Sequence, residues 1–343
     1  MTDLPPKKVL SIQSNVSSGY CGNRCATFAL QLLGFDVSAI HTVQFSNHTG
    51  YGQWRGQVFK GLDIMDLFQG LKENGFIKEF DFLLTGYVHG KDGIESIKSI
   101  VQDLKNTNPE IGWLLDPVLG DQQSLYRSNY TQSHLYVIGS SCKSDYTPRA
   151  VKITVPCYKQ TFSGTGDLFS ALLLGRFNDD IKLLPPDEMP ATSLPLTIAL
   201  EMAVSSVQIV IRNTLKSIQD ACVDHDKLSK AEMAKLSELR IIQSQDTAFD
   251  AFLLELDTLK ESTSSILFPS ISSTLISENG SGDEDTNEVF WCDKAEKLAS
   301  LEQEIHEYQS NKTLKNIEKT LNKLQYQIHQ ILQIHYLETK NTK

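Results

Sequence analysis

The sequence carries no surplus of positive charge: 32 Lys and Arg stand against 42 Asp and Glu, for a formal net charge of −10. A protein that grips a phosphate backbone needs the opposite balance, so a general nucleic-acid binder is excluded. A single nucleotide is a different matter, because backbone N–H groups and a metal can handle its phosphates. No run of eighteen apolar residues occurs, so no membrane span is expected. Met1 to Lys8 is polar and proline-bearing, without the apolar centre of a signal peptide. The expected compartment is the cytosol, with the nucleus open to it. Cysteine is scarce and scattered: there are six, at 21, 25, 142, 157, 222 and 292. Only Cys21 and Cys25 are close, and no second pair or nearby His completes a zinc set. They read as small thiols in a reducing compartment.

What remains is an ordinary globular composition, 40% hydrophobic and 22% charged, in a chain of 343 residues that can bury one large core or two modest ones. From Val9 the chain alternates strand, loop and helix. Val9 to Gln13 is a short apolar run, followed by a loop from Ser14 to Arg24. Ala26 to Leu33 has helical spacing and stops at Gly34, a natural C-terminal cap. Val37 to Phe45, Phe80 to Leu84 and Trp113 to Leu115 read as strands, and Ile94 to Leu104 as a helix. Alternation of this kind predicts an α/β fold, a doubly wound and mostly parallel sheet flanked by helices. Such sheets bind ligands at the carboxyl ends of their strands. Those ends carry Ser14, then Asn47, His48 and Thr49, then Thr85 and Tyr87, then Asp116, then Ser140 and Ser141. One polar residue after a strand is only a turn signal, whereas five clusters on one edge predict a lined cleft.

The chain changes character after residue 260. Residues 261–288 are rich in Ser and acidic residues and predict a disordered linker. In 289–343, Leu298, Leu301, Ile305 and Tyr308, then Leu314, Ile317, Leu321, Leu324, Ile328 and Ile331, recur at helical spacing with a slip near Asn311. This predicts an amphipathic, coiled-coil-like helical tail that packs on itself or on a protein partner.

The sharpest chemical signal is Ser163-Gly164-Thr165-Gly166-Asp167, followed by the apolar residues Leu168, Phe169 and Ala171 to Leu174. Two glycines allow a tight turn and bring N–H groups close to a ligand. The apolar run after them is a buried helix, so those N–H groups form an anion site at its N-terminus. The helix dipole is expected to keep Asp167 ionised, and a carboxylate there can accept a hydroxyl proton. Asp is equally common as a plain helix cap, and the tetrapeptide alone leaves both roles open.

The wider pattern resembles a known family. Gly-Thr-Gly-Asp at the head of a long apolar helix is similar to the signature of ribokinase-like sugar and vitamin kinases. Ser11-Ile12-Gln13-Ser14, Gly19-Tyr20-Cys21-Gly22-Asn23-Arg24, the stretch Val43 to Tyr51, Leu84-Thr85-Gly86-Tyr87 and Asp116-Pro117-Val118-Leu119-Gly120-Asp121 resemble the pyridoxal kinases. A fainter likeness continues through Leu194 to Leu215 and at Glu238-Leu239-Arg240. The resemblance implies a ribokinase-like domain over 1–260 that phosphorylates the 5′-hydroxyl of pyridoxal, pyridoxine or pyridoxamine. It implies ATP as donor, Mg²⁺, a monovalent cation such as K⁺, and a homodimer. Ser14 and Thr49 would contact the pyridine ring, Tyr87 would pack on it, Val43 and Cys21 would wall it, and His48 would help close the pocket. Asp116 and Asp121 would lie near the phosphates and the metal, with Tyr126, Ser140 and Ser141 on the nucleotide side. Gly164, Thr165 and Gly166 would form the anion hole and Asp167 would be the base.

The chain departs from the family pattern in one place. Tyr126 is followed almost at once by Tyr136-Val137-Ile138-Gly139-Ser140-Ser141, a run similar to the strand after a long family segment that is missing here. No Asn-x-x-Glu occurs between Tyr126 and Asp167, so one metal-organising carboxylate is absent, and Gly139 stands where the family offers a Thr. Two readings stay open at this point: a working kinase of pyridoxal or another hydroxymethyl heterocycle, and a relative with impaired phosphoryl transfer that serves as a scaffold.

Overall fold

The computed structural model describes residues 5–118, 134–145, 148–158, 160–177, 185–221 and 228–248. Asp121 and Tyr126, the linker at 261–288 and the helical tail at 289–343 lie outside the described residues. Contacts divide the chain into two compact units; among the described residues the second holds 140–145, 148–151 and 186–191, and the first holds the rest.

The first unit is built on a five-stranded sheet. Its strands are β1 (Lys8–Val16), β2 (Asp36–Phe45), β3 (Gly56–Val58), β4 (Phe82–Thr85) and β5 (Gly112–Leu115), ordered β3-β2-β1-β4-β5. All pairings are parallel except β2 with β3, a short antiparallel edge. Alternation along β1 assigns its two faces. Val9, with Phe82 and Leu84, faces a core shared with α1 (Asn23–Leu32), α4 (Thr165–Phe177) and α5 (Pro195–Asp220). Leu10 and Ile12, with Ile40 and Leu83, face a second core shared with α2 (Gly61–Glu73) and α3 (Gly90–Thr107). Phe68 and Ile100, buried in that second core, each remove enough apolar surface to contribute roughly 1.5–3 kcal/mol. α5 is long and apolar enough to cross a bilayer by length and composition, but its Ala203, Val207 and Val210 are buried in the core it shares with α4.

This topology places the site. From β1 the chain steps through α1 to β2 on one side, then returns through α2 to β4 on the other and moves on through α3 to β5. Right-handed crossovers put α1 on one face and α2 and α3 on the opposite face, as observed. The winding therefore reverses between β1 and β4, and a crevice opens at their carboxyl ends.

Two expectations need correction. β1 does not end at Gln13; it runs on to Val16 through a register shift between Gln13 and Asn15, so Ser14 sits at a bulge inside the strand. Ser140 and Ser141 do come at the end of a strand, but not of one in the five-stranded sheet. They lie near the end of β6 (His134–Cys142), which among the described residues pairs with β7 (Pro148–Pro156) in a two-stranded sheet of its own, and they belong to the second unit. In that unit Asp187 accepts from the Ser144 N–H at 2.9 Å and from its hydroxyl, and Arg149 donates to the Pro186 carbonyl at 2.8 Å. Among the described residues β5 has a partner only on its β4 side, and its Trp113 and Leu115 are 40% and 55% exposed.

Candidate active site

Three backbone segments converge at the crevice: the β1 bulge, the N-terminus of α1 and the N-terminus of α4. Gly22 opens α1 with φ +55°, and a Cβ there would lie 2.0 Å from the Ser14 carbonyl oxygen and 2.4 Å from its hydroxyl. Gly164 precedes α4 with φ +87°, and a Cβ there would lie 1.9 Å from the Tyr20 carbonyl oxygen. Neither position accommodates a side chain, which is why glycine stands at both. The α4 helix then closes its first turn with the Leu168 N–H on the Gly164 carbonyl at 2.9 Å.

Asp167 lies in that first turn, half-buried, and accepts a hydrogen bond from the backbone N–H of Gly22. Its carboxyl is pushed up to about 6, first by burial and further by the neighbouring Asp116 carboxylate, while the Gly22 N–H pulls the other way. Burial thus pushes this carboxyl in the direction opposite to the helix dipole, without taking it out of its ionised form at neutral pH. A group with this value is still about nine-tenths ionised at pH 7 and lies close to where a general base works best.

Asp116 follows β5 and is held by its own backbone, its N–H donating to the Thr85 carbonyl at 2.8 Å. Its Oδ1 accepts from the Val118 N–H at 3.1 Å, and its Oδ2 lies 3.6 Å from where a Cβ on Gly166 would be. One carboxylate therefore stands beside the glycine loop. Among the described residues no group of three His, Cys, Asp or Glu gathers to cage a metal. That donor set fits Mg²⁺ only as an ion taking most of its ligands from phosphate oxygens and water, which is how Mg²⁺ is commonly bound.

Beside Ser163, at the start of the glycine loop, stands His48. Its Nδ1 accepts from the Gly50 N–H at 3.1 Å and lies 3.2 Å from the Ser163 hydroxyl, while its Nε2 is 3.4 Å from Glu238 Oε1. Its ring meets Tyr51 edge-on at 4.8 Å. Thr49 begins the 3₁₀ turn Thr49–Tyr51 that His48 caps. Val43 is buried within β2 opposite Val58, and the adjacent Thr42 hydroxyl donates to the Tyr87 carbonyl at 2.6 Å. The Tyr87 hydroxyl lies 3.2 Å from His89 Nδ1. Cys21 is half-buried next to Gly22.

The structure therefore brings Ser14, Asp116 and Gly164 to Asp167 into one constellation, with His48 tied to it through Ser163. Sequence reasoning missed four participants. Gly22 was read as part of a loop and of a family-like run without a role of its own, yet its N–H serves Asp167. Ser163 was quoted without a role. Cys25 is fully buried and donates through Sγ to the Gly164 carbonyl at 3.8 Å. Glu238, 7% exposed, accepts from the Tyr51 hydroxyl at 3.0 Å and the Tyr20 N–H at 3.2 Å. Only the faint run Glu238-Leu239-Arg240 signalled it.

No family model matches the chain. The pyridoxal kinase of Arabidopsis thaliana is 32% identical over 298 residues, spanning 70% of this chain and 90% of that protein. This chain belongs to the pyridoxal kinase family. That alignment is longer than 70% of 343 residues, so the relative has positions that fall opposite gaps in this chain. The sheep pyridoxal kinase is 50% identical over 117 residues, 34% of this chain, and the human one 39% over 189 residues, 55% of it. The chain spans 37% of the sheep relative's length and 59% of the human one's. Among solved structures, a Leishmania donovani pyridoxal kinase in complex with ADP and pyridoxamine superposes with a TM-score of 0.57 at 24% identity, over 71% of this chain and 95% of that one. The Trypanosoma brucei pyridoxal kinase gives 0.55 at 26% identity, over 71% and 96%. The likeness at 24% identity establishes the shared fold.

Proposed function

We propose that this chain transfers the γ-phosphoryl group of ATP to the 5′-hydroxyl of pyridoxal, pyridoxine or pyridoxamine, with Asp167 as the base. The observation that carries this reading is Asp167 itself, raised to about 6 at the head of α4 and next to the glycine loop. Asp167 takes the proton of the substrate hydroxyl as its oxygen bonds to the γ-phosphorus and the bond to the departing ADP breaks. The N–H groups of Gly164, Thr165 and Gly166 line the position where the transferring phosphoryl gains charge. Asp116 would hold Mg²⁺, and the bound ion supplies neutralisation of the phosphate oxygens. Ser14, Thr49, Tyr87, Val43, Cys21 and His48 form the vitamin side in this reading. A homodimer, a K⁺ requirement, a cytosolic location and a protein partner for 289–343 belong to it by family resemblance and sequence pattern alone.

The half-exposed β5 edge and the gapped alignment favour a second reading, a binder of the vitamin with weakened phosphoryl transfer. One experiment separates them. Purified full-length chain is incubated with ATP, Mg²⁺ and pyridoxal, product is followed by its absorbance, and pyridoxal binding is measured by calorimetry. Phosphorylated product supports the kinase; binding without product supports the impaired relative; neither result defeats both.

A further inference from the structure

The carboxylate of Glu238 is buried within reach of the proposed pocket, and the phosphoryl-transfer chemistry does not use it. Taking a carboxylate out of water is costly unless several donors meet it. Two hydrogen bonds reach it, from the Tyr51 hydroxyl at 3.0 Å and the Tyr20 N–H at 3.2 Å, and His48 Nε2 stands 3.4 Å from its Oε1. The chain also makes room for it. Gly19 has φ +90°, and a Cβ on it would lie 2.3 Å from Glu238 Oε1. Burial, then the charge and hydrogen bond of Glu238, push the Tyr51 phenol well upward, which keeps its O–H as a donor.

The histidine gives this arrangement a direction. The Gly50 N–H can only donate, so the Nδ1 it meets at 3.1 Å must offer a lone pair. The imidazole proton therefore sits on Nε2, the nitrogen facing Glu238. With Nδ1 bare, its one lone pair is shared between the Gly50 N–H and the Ser163 hydroxyl at 3.2 Å, and Ser163 directly precedes Gly164 of the anion loop. Glu238, His48 and Ser163 thus form a chain from the C-terminal part of the first unit to the loop that would receive the phosphoryl group.

We propose that Glu238 is a positioning residue: it fixes the Nε2–H tautomer and ring orientation of His48 and thereby holds the vitamin-side turn 48–51 against the anion loop. This rests on the kinase reading for its kinetic consequence but not for its structural one. Two variants test it, Glu238→Gln, which keeps shape and an acceptor, and Glu238→Ala, which removes both. The first measurement is independent of activity: ¹⁵N shifts of the His48 imidazole in the free protein. Wild type shows Nε2–H; Glu238→Ala shows a mixture of tautomers or a mobile ring, and Glu238→Gln lies between. The second is steady-state kinetics. Glu238→Ala lowers kcat/KM for pyridoxal roughly ten- to hundredfold, mainly through KM for the vitamin, with KM for ATP unchanged and Glu238→Gln recovering most of the loss. Unchanged His48 shifts in Glu238→Ala overturn the proposal. So does a loss spread evenly over both substrates that follows melting temperature. If wild type itself makes no product, the kinase reading fails and the ¹⁵N result still decides the role of Glu238. Should Glu238→Ala fail to fold, Glu238→Gln carries both measurements.

Discussion

Replacing Asp167 by Asn separates the proposed base from a mere helix cap, because it should cost activity and raise stability together. The unfolded chain holds this aspartate at an ordinary value of 3.8, and the folded chain raises it to about 6. Below about pH 4 the group is protonated in both states. Between pH 4 and 6 the unfolded chain ionises while the folded chain resists, so wild type loses stability as pH rises across that window. The ceiling on the loss is about 3 kcal/mol, two pH units at 1.36 kcal/mol each. Asp167 keeps partial solvent contact, and Asn presents an amide hydrogen that the carboxylate did not, so a gain of about 1–2 kcal/mol is expected above pH 6. That corresponds to roughly 3–6 °C in melting temperature. Scanning calorimetry of both proteins at pH 4.5 and pH 8 measures it: the gap is small at the acid end and full at the alkaline end. In the kinase assay the variant loses roughly 10²- to 10⁴-fold in kcat, and wild-type kcat/KM climbs through a midpoint near pH 6. A variant no more stable than wild type at pH 8, or a gap that ignores pH, refutes the claim that burial raises this group.

Two more outcomes follow from the same geometry. Gly164→Ala places a Cβ 1.9 Å from the Tyr20 carbonyl oxygen in the left-handed backbone region, and should destabilise by roughly 2–4 kcal/mol in denaturant titration and abolish phosphoryl transfer. Cys25 is fully buried and burial pushes its thiol well upward, so mass spectrometry after brief iodoacetamide treatment at pH 7.5 should find Cys25 unmodified until the protein is unfolded, while the half-buried Cys157 reacts.

Much of the fold was legible because period and punctuation agreed locally. The Ala26–Leu33 pattern ended at Gly34, and α1 ends at Leu32 with Gly34 at φ +86° just beyond. The edges were less legible. β3 is three exposed residues whose existence depends on pairing with β2, and no local signal marks such a strand. Ser14 was read as loop because a bulge interrupts the register without ending the strand. Ser140 and Ser141 were read onto the edge of the main sheet, yet the strand they close pairs with β7, a partner that no local spacing reveals. In the site, the loop Gly164 to Asp167 was legible since its glycines and its helix are contiguous. Glu238 was not, since its partners lie 187 and 218 residues away in the chain.

By itself, then, the sequence determined the alternation that makes a parallel sheet, the glycine loop at the head of an apolar helix, and the family to which these belong. Those are properties of neighbours along the chain, where spacing and side-chain type suffice. Tertiary structure decided what no spacing contains. It set the direction of the Asp167 shift, because desolvation depends on which segments close over the carboxylate. It decided that Gly22 rather than a side chain supplies its donor, because the α1 and α4 N-termini, far apart along the chain, meet only in the folded unit. And it brought Glu238 under His48, an encounter fixed by packing of the whole unit.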